Sequence, residues 1–401
     1  MSAMLRRRTA LKAFGAAPLA LMAGGGAMAA AEPRSVVDGI EIFHLKVNQR
    51  GNWVIVRLRA ANGLTGLGDA GHAEDEVTIR YLRQFAELWR GRSVFEIEPF
   101  RRAVADIVRT GGDSAAVAAS ALEQALWDLA GKALGVPVYQ LFGGKLRDTI
   151  PLYANINRST VPRTPEGFAK MASAAIADGF RAIKLAPFDA IPMGETDRAK
   201  IARLTDEGIA CAQAVRDTIG PDNDLLIDVH SRFNLADGLK LAERFEPLKL
   251  YWLEEVTPAE PLSDLAAINH AAKMPTAGGE SITTVEGFYD YIRAGTVDIV
   301  MPDIKFCGGL SQLRKIAGIA EGAGLPVSPH GPASPVGNAA AAHVVATLPN
   351  FTILEYAYGE VPWRADLLDP PERIGRGELI LTDRPGFGIE LNERTAARYS
   401  I

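Results

Sequence analysis

The sequence predicts an α/β barrel of eight parallel strands, covered by a smaller α+β module. Three observations predict it. After Tyr153, short apolar runs alternate with helical stretches of 15 to 20 residues, the pattern of parallel strands joined by crossover helices. Three of these runs end at or near an acid, Asp228, Glu254 and Glu280, each 26 residues from the next. That interval is about one strand–helix repeat of a parallel barrel. Ahead of them, residues 36–68 alternate apolar and polar as antiparallel strands do.

Taken in order, the chain opens with Arg6-Arg7-Arg8-Thr9-Ala10-Leu11-Lys12, an apolar Gly- and Ala-rich stretch over 13–28, and small residues at 27–31. This is the layout of a twin-arginine-type export signal over 1–31, with a periplasmic destination. The apolar stretch is short for a membrane span, which needs about 20 apolar residues, so no membrane association is expected once the signal is removed. Residues 35–145 read as the α+β module: alternating runs at 40–45 and 53–58 punctuated by Gly39, Gly51, Gly63 and Gly66, then a helical period with a helix over 117–134 that stops near Gly135. Residues 146–362 read as the barrel, with strands at 152–155, 182–185, 225–229, 250–253, 275–277, 298–301, 326–328 and 352–356. Residues 363–401, richer in Pro and Gly, are expected to return to the first module.

Composition narrows function. At 401 residues the chain can bury a large core. A net charge of −5 and the lack of any long basic run exclude the usual footprint of a nucleic-acid binder. A small anionic substrate must then be held by local charge. Cys211 and Cys307 lie in different segments and are expected as two buried thiols, not a disulfide.

In a parallel barrel, chemistry collects where the strands end. Asp228, Glu254 and Glu280 converge there as an all-oxygen trio, which suits a hard cation, Mg²⁺ before Zn²⁺. Asp303 ends the strand before His330, so a carboxylate–imidazole pair faces the trio as a general base. His230 follows Asp228 by two residues, and strand alternation points both side chains the same way, as an acid or base across from His330. Lys184, in Ile183-Lys184-Leu185-Ala186, is expected as a cation near the metal. Glu255 is assigned outside the ligand set, and His44, His72, His270 and His343 are assigned to structure, with His72 in a polar turn. Substrate contacts are expected from Asn155, Arg232 and Trp363, with Arg364 nearby and with loops around 44–52 and 69–76.

These residues at this spacing resemble the enolase superfamily, and within it the mandelate racemase-like branch. The similarity extends to residues 121–132, Leu141-Phe142-Gly143-Gly144, Trp252-Leu253-Glu254-Glu255, Met301-Pro302-Asp303, Gly308-Gly309 and the segment from His330 to Gly337. The resemblance implies a capping domain over a (β/α)₇β barrel, one Mg²⁺ on Asp228, Glu254 and Glu280, and assembly as a homo-dimer or octamer. It also implies proton abstraction beside a substrate carboxylate, with Glu355 bonded to that carboxylate. Many relatives carry Lys-x-Lys where this chain has Lys184 and Ala186, so a lysine base is missing here. The Asp228-Val229-His230 arrangement is similar to acid-sugar dehydratases of the gluconate, galactonate and mannonate type. There His330 would take the C2 proton and His230 would protonate the departing C3 hydroxyl, giving a 2-keto-3-deoxy acid. The alternatives are an epimerase, racemase or lactone cycloisomerase using the same histidines, and a non-catalytic periplasmic sugar-acid binding protein, which Ala186 alone recommends.

Overall fold

A computed structural model describes residues 35–49, 51–71 and 73–401; the export signal expected over 1–31 and the turn residue His72 lie outside the described residues. Three antiparallel strands, β1 (Val37–Asn48), β2 (Gly51–Ala60) and β3 (Thr65–Asp69), form one sheet. Helices α1 (Asp75–Trp89), α2 (Ile97–Leu134) and α3 (Val138–Leu141) follow. The helix expected over 117–134 is therefore the second part of a longer one, interrupted where Gly112 takes a φ of 64°. Gly135, at φ 69°, closes it in the left-handed conformation that glycine adopts without a Cβ clash. Glycine also lets β3 lie directly on α2. A Cβ on Gly66 or Gly68 would come within 2.2 or 1.9 Å of the carbonyl oxygens of Ala125 and Ala121.

The barrel strands are β4 (Thr149–Asn155), β5 (Ala182–Leu185), β6 (Asp224–Asp228), β7 (Trp252–Glu254), β8 (Thr276–Gly278), β9 (Ile299–Val300) and β10 (Leu354–Ala357). Neighbours pair in parallel from β4 through β9, and β10 pairs back onto β4. The strand expected at 326–328 shrinks to bridges from Val327 to Val300 and Phe351. Its flanking residues Pro326 and Pro329 have no N–H to extend the ladder. With that residue the ring holds eight strands. Seven helices connect them: α4 (Pro165–Ala177), α5 (Arg198–Ile219), α6 (Leu235–Phe245), α7 (Leu262–Ala271), α8 (Val285–Arg293), α9 (Gly309–Gly322) and α10 (Pro335–Val345). Thr164, Asp197, Asn234, Thr284 and Ser334 each accept a backbone N–H at the start of α4, α5, α6, α8 and α10, satisfying donors that the helix leaves unpaired.

Alternation along the strands sets both core and site. Ile183 and Leu185, Leu225 and Ile227, and Leu253 face outward into the core shared with the helices. The intervening residues face into the barrel. Its floor is filled by Tyr153, Ala182, Leu226, Trp252, Ala277, Ile299 and Met301. Two residues further along the same inward rows stand Asn155, Lys184, Asp228 and Glu254, all buried. These four strands thus carry a plug of the floor below and a polar group above.

The first module docks through buried polar caps. Glu123, on α2, accepts from Leu310 N (2.8 Å), Ser311 N (2.9 Å) and Ser311 Oγ (2.5 Å) at the start of α9. Asp69, at the end of β3, accepts from Ser334 N at 2.8 Å beside α10. Anionic oxygens placed on unpaired helix N–H groups are favourable for both charge and hydrogen bonding. The tail reaches the same module. Asp128 accepts from both Leu67 N and Phe387 N, and helix α11 (Glu393–Arg398) is followed by a bridge from Ser400 to Leu45. Cys211 and Cys307 are buried and unpaired.

Candidate active site

The mouth of the barrel holds a cavity of about 580 Å³, lined by Asn155, Asp228, His230, Glu280 and His330 from the barrel and by Gly51, Asn52, Ala73 and Asp75 from the capping module. Asp228, Glu254 and Glu280 each present one oxygen, and the three oxygens lie within 4.8 Å of one another. Asp228 and Glu254 sit on the last residues of β6 and β7. Glu280 lies two residues beyond β8, where Gly279 turns the chain at φ 110°. Asp228 Oδ2 and Glu280 Oε2 are buried and face cationic or ring nitrogens, Lys184 and His230 for the first and His330 for the second. Three carboxylates converging in this way form an all-oxygen donor set, which fits a divalent cation of hard character.

Charge around the trio is strongly coupled. Lys184 Nζ, fully buried, lies 2.7 Å from Glu254 Oε1, 3.2 Å from Asp228 Oδ2 and 3.4 Å from Glu355 Oε1. Burial acts against the ammonium, but Glu254 and Glu355 outweigh it and keep Lys184 charged. Burial pushes Glu254 well up, the charge of Asp228 adds to this, and Lys184 only partly offsets it. Asp228 goes the other way: burial opposes ionisation, yet His230 and Lys184 hold its carboxyl well below the usual range. Glu355, also buried, is brought to about 2 because Lys184 and His330 overcome burial; it accepts from Gly331 N at 2.9 Å and from Asn155 Nδ2 at 2.5 Å.

Two histidines flank the trio. His330 Nδ1 is 2.8 Å from Asp303 Oδ2, leaving Nε2 3.1 Å from Glu280 Oε2. Burial disfavours its charged form, but Glu280, Glu355 and Asp303 raise it to about 9. His230 Nε2 is 3.1 Å from Asp228 Oδ2, and its Nδ1 is 2.5 Å from Asp189 Oδ1. Here too burial is overcome, by Asp228 and Asp189, and the ring rises to about 11. A bound dication would offset the carboxylates that drive both shifts. In ring order, β6 is the third strand and Val327 the seventh, so the two histidines enter from opposite sides of an eight-stranded barrel.

His230 does not reach this place by strand alternation, as the sequence reading supposed. The strand ends at Asp228, and His230 and Ser231 take left-handed φ values of 48° and 58°. His230 N then donates to Asp228 Oδ1 at 3.0 Å, which folds the ring back toward the trio. Trp363 does not line the cavity. It packs edge-on to Trp53 at 5.2 Å and stacks on Tyr399 at 4.1 Å, so its surface is spent joining the tail to β2. Arg232 does not line the cavity either; it stands 4.0 Å from Asp189. Arg364 is buried and bonded to Glu372 and to Ala333 O. Asn155 is in the wall, and the loops around 44–52 and 69–76 contribute Gly51, Asn52, Ala73 and Asp75. His44, assigned to structure, bonds Asp75 at 2.8 Å. Sequence reasoning missed Asp189, Asn157, Arg158 and Phe306. Asp189 is 41 residues from His230, and only the closed barrel makes them neighbours. Arg158 and Asn157 carried a findable signal, since they follow β4 at the edge where sites form.

Residues 38–143 match the mandelate racemase/muconate lactonizing enzyme N-terminal domain, and residues 167–395 match the enolase C-terminal domain-like family. A D-galactonate dehydratase family member from Streptomyces bingchenggensis is 33% identical over 92% of this chain and 94% of its own. A D-gluconate dehydratase from Thermoproteus tenax is 33% identical over 86% of this chain and 69% of its own. The crystal structure of a mandelate racemase/muconate lactonizing enzyme-like protein from Rubrobacter xylanophilus superposes with a TM-score of 0.84 at 31% identity, covering 92% of this chain and 98% of that one. With both domains matched and full-length relatives at this identity, the chain belongs to the enolase superfamily, in its mandelate racemase/muconate lactonizing enzyme branch.

Proposed function

We propose that this protein is a Mg²⁺-dependent dehydratase of a sugar acid, an aldonate or aldarate. The observation that carries the reading is the opposed pair of histidines, each backed by an aspartate, on either side of three converging carboxylates. Mg²⁺ on Asp228, Glu254 and Glu280 would supply positive charge at the substrate carboxylate, where proton removal adds negative charge. Lys184 stands beside the same oxygens and contributes a second, permanent cation. His330 Nε2 takes the C2 proton, because Asp303 fixes the proton-bearing Nδ1 and leaves Nε2 as the base. The electron pair of the broken C–H bond forms the enediolate. That pair then closes to the C2–C3 double bond as the C3–O bond breaks. His230, protonated, delivers its proton to the leaving oxygen, which departs as water. The enol regains a proton at C3 as it tautomerises to the 2-keto-3-deoxy acid.

Relatives named as dehydratases of gluconate and galactonate support a sugar acid as substrate. Epimerisation would use the same two histidines without loss of water. A screen of five- and six-carbon aldonates and aldarates with Mg²⁺, read as keto-acid semicarbazone in D₂O, separates the two. Keto-acid release is expected from at least one member. Deuterium entering C2 of recovered acids with no keto acid from any of them would overturn the dehydratase reading in favour of epimerisation.

A further inference from the structure

The loop after β5 brings one acid, Asp189, up behind His230. Its Oδ1 lies 2.5 Å from His230 Nδ1, and its Oδ2 lies 3.0 Å from Arg163 Nη2. Arg163 is itself held by its neighbours. Nη1 donates to Asn157 O at 2.8 Å, Nη2 donates to Ala186 O at 2.6 Å, and the guanidinium lies 5.1 Å from the Phe168 ring centre on α4. Asn157 Oδ1 in turn accepts from Ala186 N at 2.5 Å, so the loops after β4 and β5 are stitched together at the point where Asp189 departs. The ring that Asp189 meets is carried on two consecutive left-handed residues, His230 and Ser231, neither of them glycine. Such backbone is held only where its surroundings over-determine it. Ser231 N donates to Glu255 O at 2.6 Å and His230 N to Asp228 Oδ1. These bonds fix the backbone of the bend but not the imidazole, whose Nε2 edge faces Asp228 Oδ2 at 3.1 Å. Asp189 holds the opposite edge, at Nδ1, and so sets the plane of the ring.

We propose that Asp189, oriented by Arg163, is a positioning residue that fixes the ring plane of His230 and keeps its proton-donating Nε2 directed at the leaving oxygen. This rests on the dehydratase reading above. It assigns to the loops after β4 and β5 a part in the second half of the reaction, since the carboxylate of Asp189 is bonded to His230 and to Arg163. The carboxylate accepts from Nδ1–H, so Nε2 is the nitrogen turned toward the substrate. An asparagine at 189 keeps the size of the side chain but can also donate to Nδ1, which disorders both the tautomer and the ring.

The test compares two rates in the Mg²⁺-loaded enzyme: C2 deuterium incorporation into recovered substrate, which reports proton abstraction, and keto-acid release, which reports elimination. In Asp189→Asn, kcat for keto-acid release is expected to fall by about 10–100-fold, the scale for losing a hydrogen-bonding partner of a site residue. KM should stay close to that of the unaltered enzyme, and C2 exchange should continue, so the ratio of exchange to elimination rises. Asp189→Glu, which restores a carboxylate, is expected to recover part of the elimination rate. Should Asp189→Asn not fold, Arg163→Lys makes the same comparison, because it loosens Asp189 without removing it. A parallel fall of both rates, or no change in either, would overturn the positioning role. An unaltered enzyme that releases no keto acid from any sugar acid would instead overturn the dehydratase reading, so the two failures are distinct.

Discussion

The two sides of the active site solve the same problem with different materials. His330 is held by the barrel itself. Its partner Asp303 is wholly buried three residues past β9, accepts from Lys305 N at 2.7 Å, and has Lys305 Nζ, also wholly buried, 3.4 Å away. Burial opposes ionisation of Asp303, but Lys305 and His330 more than offset it and hold the carboxyl below its usual range. His230 is held by loops: a left-handed bend after β6 and an acid from the segment between β5 and α5. Its side chain is 25% exposed against 12% for His330. Ring flips and loop motions are cheaper where fewer packed atoms oppose them. On the proposed reading, proton abstraction falls to the side held by the buried core, and leaving-group protonation to the more exposed side held by loops. The carboxylates between them serve both.

That shared centre gives the largest effect. Glu280→Gln removes one carboxylate of the proposed cation site and also the charge facing His330 Nε2. Mg²⁺ affinity, measured by calorimetric titration, is expected to fall by more than about 100-fold, beyond the cost of losing a ligand's outer partner. Exchange and elimination should vanish together. Retention of unaltered Mg²⁺ affinity would remove Glu280 from the ligand set. Separating the two sides comes next. His330→Asn is expected to lower both C2 exchange and keto-acid release by about 10²–10⁴-fold, whereas His230→Asn lowers keto-acid release alone by a similar factor. If His230→Asn abolished exchange as well, the two histidines would be acting in one step, and the division drawn above would fail.

How much of this the sequence disclosed follows the same division. Asp303 and His330 follow successive barrel strands by three residues each, so a reading of strand ends places them side by side. The 26-residue interval likewise exposes Asp228, Glu254 and Glu280, because one repeat of the barrel has a fixed length. Lys184 is found by the same rule of inward-facing alternation. His230 was found for an incomplete reason: the strand stops at Asp228, and a left-handed turn, not alternation, brings the ring home. Asp189 was not found, since a loop residue 41 positions away has no periodicity to announce it. Trp363 and Arg232 were expected at the site because they follow barrel strands, but sequence carries no account of which neighbours compete for a side chain. Trp53 and Tyr399 claim the first, and the second stands beside Asp189, outside the cavity lining. The role of Glu123 was equally hidden: the motif around it was visible, while its purpose, capping α9 from another domain, requires the docked structure.

The smallest expected effect is on stability, and it sharpens the comparison through pH. Without a cation, His330 is pushed up to about 9 and His230 to about 11, both from an ordinary 6.5, and burial with the charge of Glu280 lifts Glu255 from 4.5 to about 8. Each histidine binds its proton more tightly folded than unfolded, so its contribution is fully present below about pH 6.5. That contribution is lost as pH rises, through about 9 for His330 and about 11 for His230. Glu255 runs in the same direction, because the folded state keeps a proton that the unfolded chain has released. The cation-free protein is therefore expected to lose stability steadily from about pH 6.5 to about 9. Mg²⁺ competes with these protons, so the rise in Tm that it produces should grow over the same interval, by a few degrees, about what 1 kcal/mol yields in a chain of this size. Scanning calorimetry with and without Mg²⁺ across that range checks it. In His330→Asn the growth should be shallower up to about pH 9 but continue beyond it through His230, whereas in His230→Asn the cation-free protein should stop losing stability above about pH 9. A Mg²⁺-induced Tm shift that stayed flat or shrank with rising pH would mean that the carboxylates and histidines do not share their protons as the geometry requires.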